Sequence, residues 1–527
     1  MEHARSSGRV DRRGALPPVR PRLDTRTVSA AALVLLLGAS ALLRTRAIGA
    51  GYWIDEGISV GIAGHAFADI PGLLAQDGSP PLYYLLLSLW TSVAGSGETA
   101  THALSLIAAL ATVPAALWAG RALFGTRAGW AAAAIAATLP LLTVHAQETR
   151  MYALIALLSL LLSATFVLAF MRGSGRALIA FGVLAVLTAY THNWGLYLLA
   201  GLAAALPLAV RERGARPVLR DAALAGGATA LAYAPWIPTL IDQARHTGAP
   251  WSTTPDLGGL VNPVSVPLGE GVAAVLVVAV AVAALVRARQ SAAAALALAL
   301  VVAGALAWGL AQVEPGWADR YMTVFAGPVI LLAGAGLAAA GRAGMAVLAV
   351  AVILWALDPA PESKSNAREV ARVLAPGDLV VVTHPEQVPV LRHYAPSAAI
   401  RWASALGPVA DPRVFDWRDA PARLNEAEPR AVLGRLLDGT GPAGAEAAPR
   451  RRAGEGKAGA APRRLVLIAP ARPRTKGPEW IDLVARTAAE WSALVAADPR
   501  LARVASAEPE PIRGTSLKLD AYRLRAP

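Results

Sequence analysis

Long apolar segments recur along the first two thirds of this 527-residue chain, and hydrophobic residues make up 55% of it. Most of these segments approach or reach the length that crosses a bilayer, which is more than the core helices of a soluble domain need. They lie at residues 28–43, 102–119, 128–144, 152–170, 177–190, 196–210, 222–241, 272–286, 292–310, 324–340 and 343–357. The sequence therefore predicts an all-α polytopic membrane protein with about eleven transmembrane helices.

Positive charge orients these helices. The formal net charge is +13, and many of the arginines fall in the basic tail 1–27 and in short loops between apolar segments. Loop arginines collect on the cytoplasmic side of membrane proteins, so topology explains them better than a nucleic-acid partner does. The short apolar segment 81–93 decides on which side these loops lie. The loop arginines fall in the cytoplasm, as the positive-inside rule requires, if this segment is a juxtamembrane helix and not a crossing. We therefore expect a plasma-membrane protein with a cytoplasmic N-terminus.

Composition divides the chain into further parts. The transmembrane domain is predicted to cover residues 28–357, with a large outer loop at 48–101. From residue 358 to 527 the pattern is that of a soluble domain, with candidate strands at 379–382, 465–469 and 517–522. We expect a small extracytoplasmic α/β domain with a disordered insertion rich in Gly, Ala, Pro and Arg at 438–464. The chain has no cysteine, which excludes disulfides and thiolate metal sites.

Polar clusters interrupt the apolar pattern, and the predicted topology places all of them on the outer face. Charged residues at membrane depth are costly and usually functional. The candidate site residues are Asp55, Glu56, Glu148, Arg150, Tyr152, His192, Arg320 and Tyr321. A carboxylate such as Asp55 can act as general base on an acceptor hydroxyl while a phosphate leaves from a sugar carbon. Arg150, His192 and Arg320 can bind that departing phosphate. Nucleotide sugars are not found outside the cell, so the sugar donor should be lipid-linked.

These motifs resemble those of the GT-C membrane glycosyltransferases, in the family 39-like branch that includes protein O-mannosyltransferases and aminoarabinose transferases. The resemblance extends over residues 28–357. Its carriers are Trp53-Ile54-Asp55-Glu56, Ser79-Pro80-Pro81-Leu82-Tyr83-Tyr84, Gln147-Glu148-Thr149-Arg150-Met151-Tyr152, Tyr190-Thr191-His192 and Arg320-Tyr321. The resemblance implies a polyprenyl-phosphate sugar donor, an inverting single displacement, and Asp55 as the base. Mannose is the default sugar by this resemblance, while arabinose, galactose and an aminosugar stay open, so the transfer is hexosyl or pentosyl. The acceptor is a protein, a glycolipid or a cell-wall polymer.

The chain also departs from this family. His102 stands where many relatives carry an arginine, so no phosphate contact is assigned there. The first outer loop has no Asp-x-Asp motif, so we assign no metal ligand, although a divalent cation stays open.

Other interpretations also stay open. Asp55 and Glu56 could instead cap a juxtamembrane helix or be solvated, with Glu56 otherwise a catalytic helper. Glu148 and Arg150 could form an intramembrane ion pair, and His192 could be a satisfied polar residue. The alternative functions are a lipid or solute transporter and a noncatalytic scaffold.

Overall fold

A computed structural model describes residues 25–314, 316–395, 398–438, 464–472, 478–510, 512 and 516–525. The basic tail up to residue 24 and nearly all of the predicted insertion 438–464 lie outside the described residues. The predictions for those two segments therefore stay predictions.

The first two thirds of the described chain are helical. In chain order the helices are α1 (Thr25–Arg44), α2 (Ile54–Ala63), α3 (Ile70–Asp77), α4 (Leu82–Ala94), α5 (Glu98–Phe124), α6 (Thr126–Thr138), α7 (Pro140–His145), α8 (Tyr152–Phe166), α9 (Gly175–Thr191), α10 (Gly195–Ala204), α11 (Leu206–Arg213), α12 (Ala215–Tyr233), α13 (Ile237–His246), α14 (Asn262–Ser265), α15 (Gly271–Ala288), α16 (Ser291–Ala311), α17 (Ala326–Ala339) and α18 (Gly341–Ala356). A π-helical turn, Val167–Met171, extends α8, and a 3-10 segment, Asp319–Phe325, precedes α17.

The prediction of a polytopic membrane protein is confirmed. Among the described residues, eight helical stretches are long and apolar enough to cross a bilayer, the longest being Ala215–His246. The other predicted crossings coincide with shorter helices, α6, α9 and α18. The count of eleven crossings therefore stays a prediction. Segment 81–93, predicted to be juxtamembrane, forms the 13-residue helix α4.

Small residues allow the central helices to pack closely. Helix α17 is the most buried of the eight candidate crossings among the described residues. A Cβ atom on Gly327 of α17 would lie 2.1 Å from the backbone nitrogen of Leu160 in α8. Only glycine permits this approach, as is common where membrane helices associate through backbone contact and not through a hydrophobic driving force.

The helix bundle has two chemically different ends. At one, which we call the basic end, Arg172 donates to the Leu123 carbonyl (2.7 Å) in the last turn of α5, and Arg213 donates to the Ala169 carbonyl (2.9 Å) in the π-helical turn after α8. At the other, the site end, the Ala47 backbone N–H donates to the Gln147 side chain (2.5 Å). The loops after α1 and α7 thus meet at the site end, away from the loop arginines.

Arg44 is fully buried at the C-terminus of α1. Its guanidinium donates to the carbonyl of Ala109 at 2.8 Å and to that of Ala136. The Ala136 carbonyl lacks its normal helical donor, because that donor would be the backbone nitrogen of Pro140, which carries no hydrogen. Arg44 therefore satisfies a backbone group that the helix break between α6 and α7 leaves free.

The last third of the chain folds into a mixed α/β domain, as predicted. Its helices are α19 (Ala367–Ala371), α20 (Val388–Tyr394), α21 (Ala420–Glu426), α22 (Pro429–Leu437) and α23 (Glu479–Ala497), and its strands are β1 (Leu379–Val382), β2 (Arg401–Ser404), β3 (Gly407–Pro408), β4 (Leu465–Pro470), β5 (Leu501–Ala507) and β6 (Leu517–Leu524). The sheet order is β3-β2-β1-β4-β6-β5. Strand β1 is buried throughout and pairs in parallel with β2 and β4, which explains its uninterrupted apolar sequence. The strands β2, β3 and β5 were not predicted.

This C-terminal domain packs on α2 in the outer loop. A Cβ atom on Gly61 of α2 would lie 1.9 Å from the Arg413 carbonyl oxygen, so the two backbones nearly touch. Beside this contact, the His65 ring nitrogen Nε2 lies 2.7 Å from the Asp411 carboxylate. The Tyr52 backbone N–H donates to the Tyr394 hydroxyl at 2.7 Å. The helix that carries Asp55 is thus held between the membrane bundle and the C-terminal domain.

We expect Arg44→Met to lower the free energy of unfolding by about 2–4 kcal/mol, because two buried carbonyls lose their donor. Thermal unfolding of the detergent-purified protein measures the change. Arg127→Met, at an exposed arginine beside the basic end, is the matched control and should leave the transition unchanged. An equal transition for both variants would show that Arg44 does not stabilise the helix break.

Candidate functional site

Asp55 lies between two arginines in the first turn of α2. Its Oδ2 atom is 3.9 Å from Arg150 Nη2 and 3.9 Å from Arg320 Nε, and its side chain is 19% exposed. Both distances exceed a hydrogen bond. The guanidinium groups therefore stabilise the carboxylate by charge, and its oxygen keeps room for another donor.

Arg150 is anchored through its other terminal nitrogen. Nη1 donates to Ser59 Oγ at 2.9 Å, to the Tyr84 hydroxyl at 3.1 Å and to the Asp55 carbonyl at 3.3 Å. The Tyr84 hydroxyl in turn donates to Asp77 Oδ2 at 3.1 Å. Burial raises the pKa of the Asp77 carboxyl by more than Arg150 lowers it. The anchors come from α2, α3 and α4, so the outer loop fixes the position of this cation.

Aromatic rings pack around His192 and Arg320 in the site. The His192 ring lies 5.1 Å from Tyr321 and 5.9 Å from Tyr152, centroid to centroid, and the Arg320 guanidinium is 5.3 Å from the Tyr321 ring. Burial, Arg150 and Arg320 together lower the pKa of His192 to about 3, so the ring is neutral. Its Nδ1 atom accepts from the Trp194 backbone N–H at 3.1 Å. The remaining hydrogen therefore sits on Nε2, which makes His192 a neutral hydrogen-bond donor.

A cavity of about 390 Å³ joins these groups. Four predicted site residues line it, namely Arg150, Tyr152, His192 and Tyr321. Asp55 lies beside Arg150 and Arg320, and Arg320 lies over the Tyr321 ring. The structure thus brings six of the eight candidates to one place. The cavity is also lined by residues that the sequence did not predict as site residues, namely Ser79, Asn193, Trp194, Tyr197, Gln243 and Thr247.

Glu56 points into a different environment. Its Oε1 atom accepts from the Thr149 backbone N–H at 2.6 Å and lies 2.7 Å from His102 Nε2. Its Oε2 atom accepts from the Trp53 backbone N–H at 3.3 Å, which completes a capping box at the start of α2. The side chain is 3% exposed. These contacts favour the helix-cap interpretation. They also tie the start of α2 to the segment that carries Glu148 and Arg150.

Glu148 pairs with His145 and Lys364, not with Arg150. His145 Nδ1 lies 2.8 Å from Glu148 Oε2, and Lys364 binds the other carboxylate oxygen. Burial opposes the charged form, yet Lys364 and His145 lower the pKa of Glu148 well below its usual range. Lys364 follows α18 and also lies 4.7 Å from the Trp53 ring. Its linker position between two domains gave no sign of this contact in the sequence.

Acidic and histidine side chains of the site are arranged in pairs. Across the described ranges, no group of three or more His, Asp or Glu side chains is arranged to hold a metal ion. The carboxylates of Asp55, Glu56 and Glu148 are engaged with arginine, histidine or lysine partners.

We expect Lys364→Met and Glu148→Gln to be non-additive in thermal stability, because each removes the same ion pair. The coupling should be about 1 kcal/mol, modest because the Lys364 side chain is 40% exposed. Lys518→Met, at a lysine on β6, should instead combine additively with Glu148→Gln. Additivity in both cycles would mean that Lys364 does not couple the C-terminal domain to the site.

Comparison with known proteins defines the fold. No protein-family model matches the chain, and no curated protein does. The structure is similar to that of ArnT from Cupriavidus metallidurans in the apo state, with a TM-score of 0.61, 12% identity, and coverage of 94% of this chain and 98% of ArnT. The structure of ArnT from the same organism bound to undecaprenyl phosphate gives a TM-score of 0.57 at 11% identity, over 94% of this chain and 98% of ArnT. The arabinofuranosyltransferase AftD from Mycobacteria gives a TM-score of 0.55 at 15% identity, over 94% of this chain and 40% of AftD. The chain therefore shares the overall fold of ArnT and AftD, as expected of a GT-C-like membrane protein.

Proposed function

We propose that this protein transfers a sugar from a polyprenyl-phosphate donor to an acceptor hydroxyl, with inversion and with Asp55 as general base. The observation that carries the proposal is the Asp55 carboxylate, held 3.9 Å from two guanidinium groups next to the 390 Å³ cavity. A base and an anion-binding group beside one cavity suit a displacement in which a hydroxyl loses a proton and a phosphate departs.

The phosphate end of the donor is assigned to Arg150, Arg320 and His192. Two guanidinium groups and a neutral N–H donor match the oxygens of a phosphate. The similar structure of ArnT was obtained with undecaprenyl phosphate bound, which supports a donor of the same chemical class here. Tyr152 and Tyr321 pack around these donors and limit the access of water.

The reaction is a single displacement. The acceptor oxygen forms a bond to the anomeric carbon as the bond from that carbon to the phosphate oxygen breaks. The acceptor proton moves to Asp55, and polyprenyl phosphate leaves with the electron pair. Mannose is the default sugar, and a protein, a glycolipid or a cell-wall polymer is the acceptor class.

Glu56 and Glu148 have supporting roles in this proposal. Both oxygens of Glu56 are engaged within the protein, so it positions Asp55 and the 148–150 segment and does not take a proton. Glu148 holds His145, whose ring packs 4.7 Å from Tyr152. They differ from Asp55 in that neither faces a guanidinium group that borders the cavity.

The site end is assigned to the outer membrane face. Loop arginines gather at the basic end, and such loops are retained in the cytoplasm. With the site end outside, the C-terminal domain packed on α2 is extracytoplasmic and a lipid-linked donor reaches the cavity from the bilayer.

Asp55→Asn should reduce turnover by about two to four orders of magnitude, the usual contribution of general acid–base catalysis. Binding of polyprenyl phosphate should persist, because the carboxylate is not assigned to the phosphate. Initial rates with a radiolabelled polyprenyl-phosphate sugar, and a separate lipid-binding assay, measure the two effects.

Two further variants make the Asp55 experiment decisive. Arg150→Gln should lose lipid binding, and Glu56→Gln should lower stability more than it lowers the rate per folded molecule. Near-normal transfer by well-folded Asp55→Asn would remove Asp55 as the base.

The topology is testable because the chain has no native cysteine. Gly72, Gly175 and Gly434 have open space where a side chain would be added. In intact cells an impermeant maleimide should label Gly72→Cys and Gly434→Cys but not Gly175→Cys at the basic end. Membrane disruption should make all three reactive. Labelling of Gly175→Cys with protection of Gly72→Cys would invert the assigned orientation.

A further inference from the structure

We propose that the transferred sugar is uncharged, carrying hydroxyl groups and no free amine, and that Gln243 and Asn193 select it. This inference rests on the function proposed above and names the class of its donor. It is carried by the charges around the cavity and by the uncharged polar residues that line it.

The charges of the site are already balanced without a cationic sugar. Two guanidinium groups, Arg150 and Arg320, are matched by the Asp55 carboxylate and by the single negative charge of a phosphodiester donor. Among the lining residues that the structure describes, Glu314 is the only acidic one, and it is exposed. Apart from that exposed glutamate, a sugar ammonium would find no carboxylate among these lining residues to pair with, which is costly.

His192 gives independent support for this conclusion. Its imidazole lines the same cavity and is held neutral by burial and by the two arginines. A protonated amine on the sugar would experience the same surroundings. The environment thus disfavours an ammonium group on the sugar, as it disfavours the imidazolium form of His192.

The cavity lining offers neutral polar groups instead. The Gln243 amide nitrogen donates to the carbonyls of Leu74 (2.8 Å) and Ser79 (3.3 Å), and the Asn193 amide nitrogen donates to Gly78 (3.2 Å). These bonds fix both amides so that the oxygens are the free halves, and neither oxygen has a partner within the described protein. A buried unpaired acceptor is unfavourable, and a sugar hydroxyl supplies the missing donor.

Aromatic side chains complete a compartment for one sugar ring. Trp194 packs 5.4 Å from Tyr197 and 5.3 Å from Tyr321, and all three line the cavity. Its volume of about 390 Å³ is near the small end of the range for small-molecule sites. A single monosaccharide with its phosphate suits this space.

The test uses the intact protein and three polyprenyl-phosphate donors that share one lipid. The first carries a neutral sugar, the second its amino-deoxy analogue, and the third the N-formyl form of that analogue, which removes the charge but keeps the nitrogen. We expect kcat/KM to favour the neutral sugar over the amine by about tenfold or more. The N-formyl donor should recover most of the loss, because charge and not size causes it.

Gln243→Glu provides a change of specificity that loss of folding cannot imitate. The added carboxylate is a counter-ion for the amine, so the ratio of neutral to amino donor use should fall at least tenfold within one preparation. Asn193→Asp should shift the ratio in the same direction. Gln312→Glu is the matched control, because Gln312 is bonded to the Pro255 carbonyl and is not among the described lining residues, and its ratio should not change.

The possible results separate the two proposals. Equal or better use of the amino sugar, or unchanged ratios in both Gln243→Glu and Asn193→Asp, would overturn the neutral-sugar inference while leaving glycosyl transfer in place. Absence of transfer from all three donors would overturn the proposed function, and this inference with it.

Discussion

The position of Arg150 is the constraint on which the site depends. A guanidinium buried among helices must be paired and hydrogen-bonded, since an unpaired charge in that environment is strongly unfavourable. One nitrogen of Arg150 satisfies this requirement by bonding Ser59, Tyr84 and the Asp55 carbonyl, which come from two outer-loop helices. The other faces the Asp55 carboxylate. The loop is thus ordered around a cation that the helix bundle supplies, and the same cation borders the cavity.

The C-terminal domain contributes to this arrangement, although it lies after the last membrane helix. It covers one face of α2 at Gly61, while Lys364 contacts both Glu148 and the Trp53 ring beside Asp55. Glu56 works from within the outer loop and ties α2 to the 148–150 segment. Asp55 is consequently fixed by contacts on three sides of its helix. The carboxylate keeps its orientation through this support, which a mobile loop would not provide.

The sequence predicted the membrane class, the α/β domain and six of the residues that gather at or beside the cavity, because hydrophobic length and charged residues at membrane depth are local signals. Partners distant in sequence left no such signal. Glu56 binds His102, 46 positions away, and Glu148 binds Lys364, 216 positions away. The uncharged wall of the cavity was missed for another reason: Asn193 and Gln243 are ordinary polar residues at helix ends until packing brings them together. Short helices such as α9 also obscure the number of crossings.

The close contact between Gly61 and Arg413 has a consequence for biosynthesis. Helix α2 is made early, but the surface that covers it belongs to a domain whose sheet includes β4 and β6, which follow all of the helices α1–α18 in the chain. The glycine-lined face of α2 therefore stays uncovered while the remaining helices insert. The site therefore acquires its final shape only after β6 has been synthesised and joined to the sheet, so partly made chains carry the reacting residues without the support that orients them.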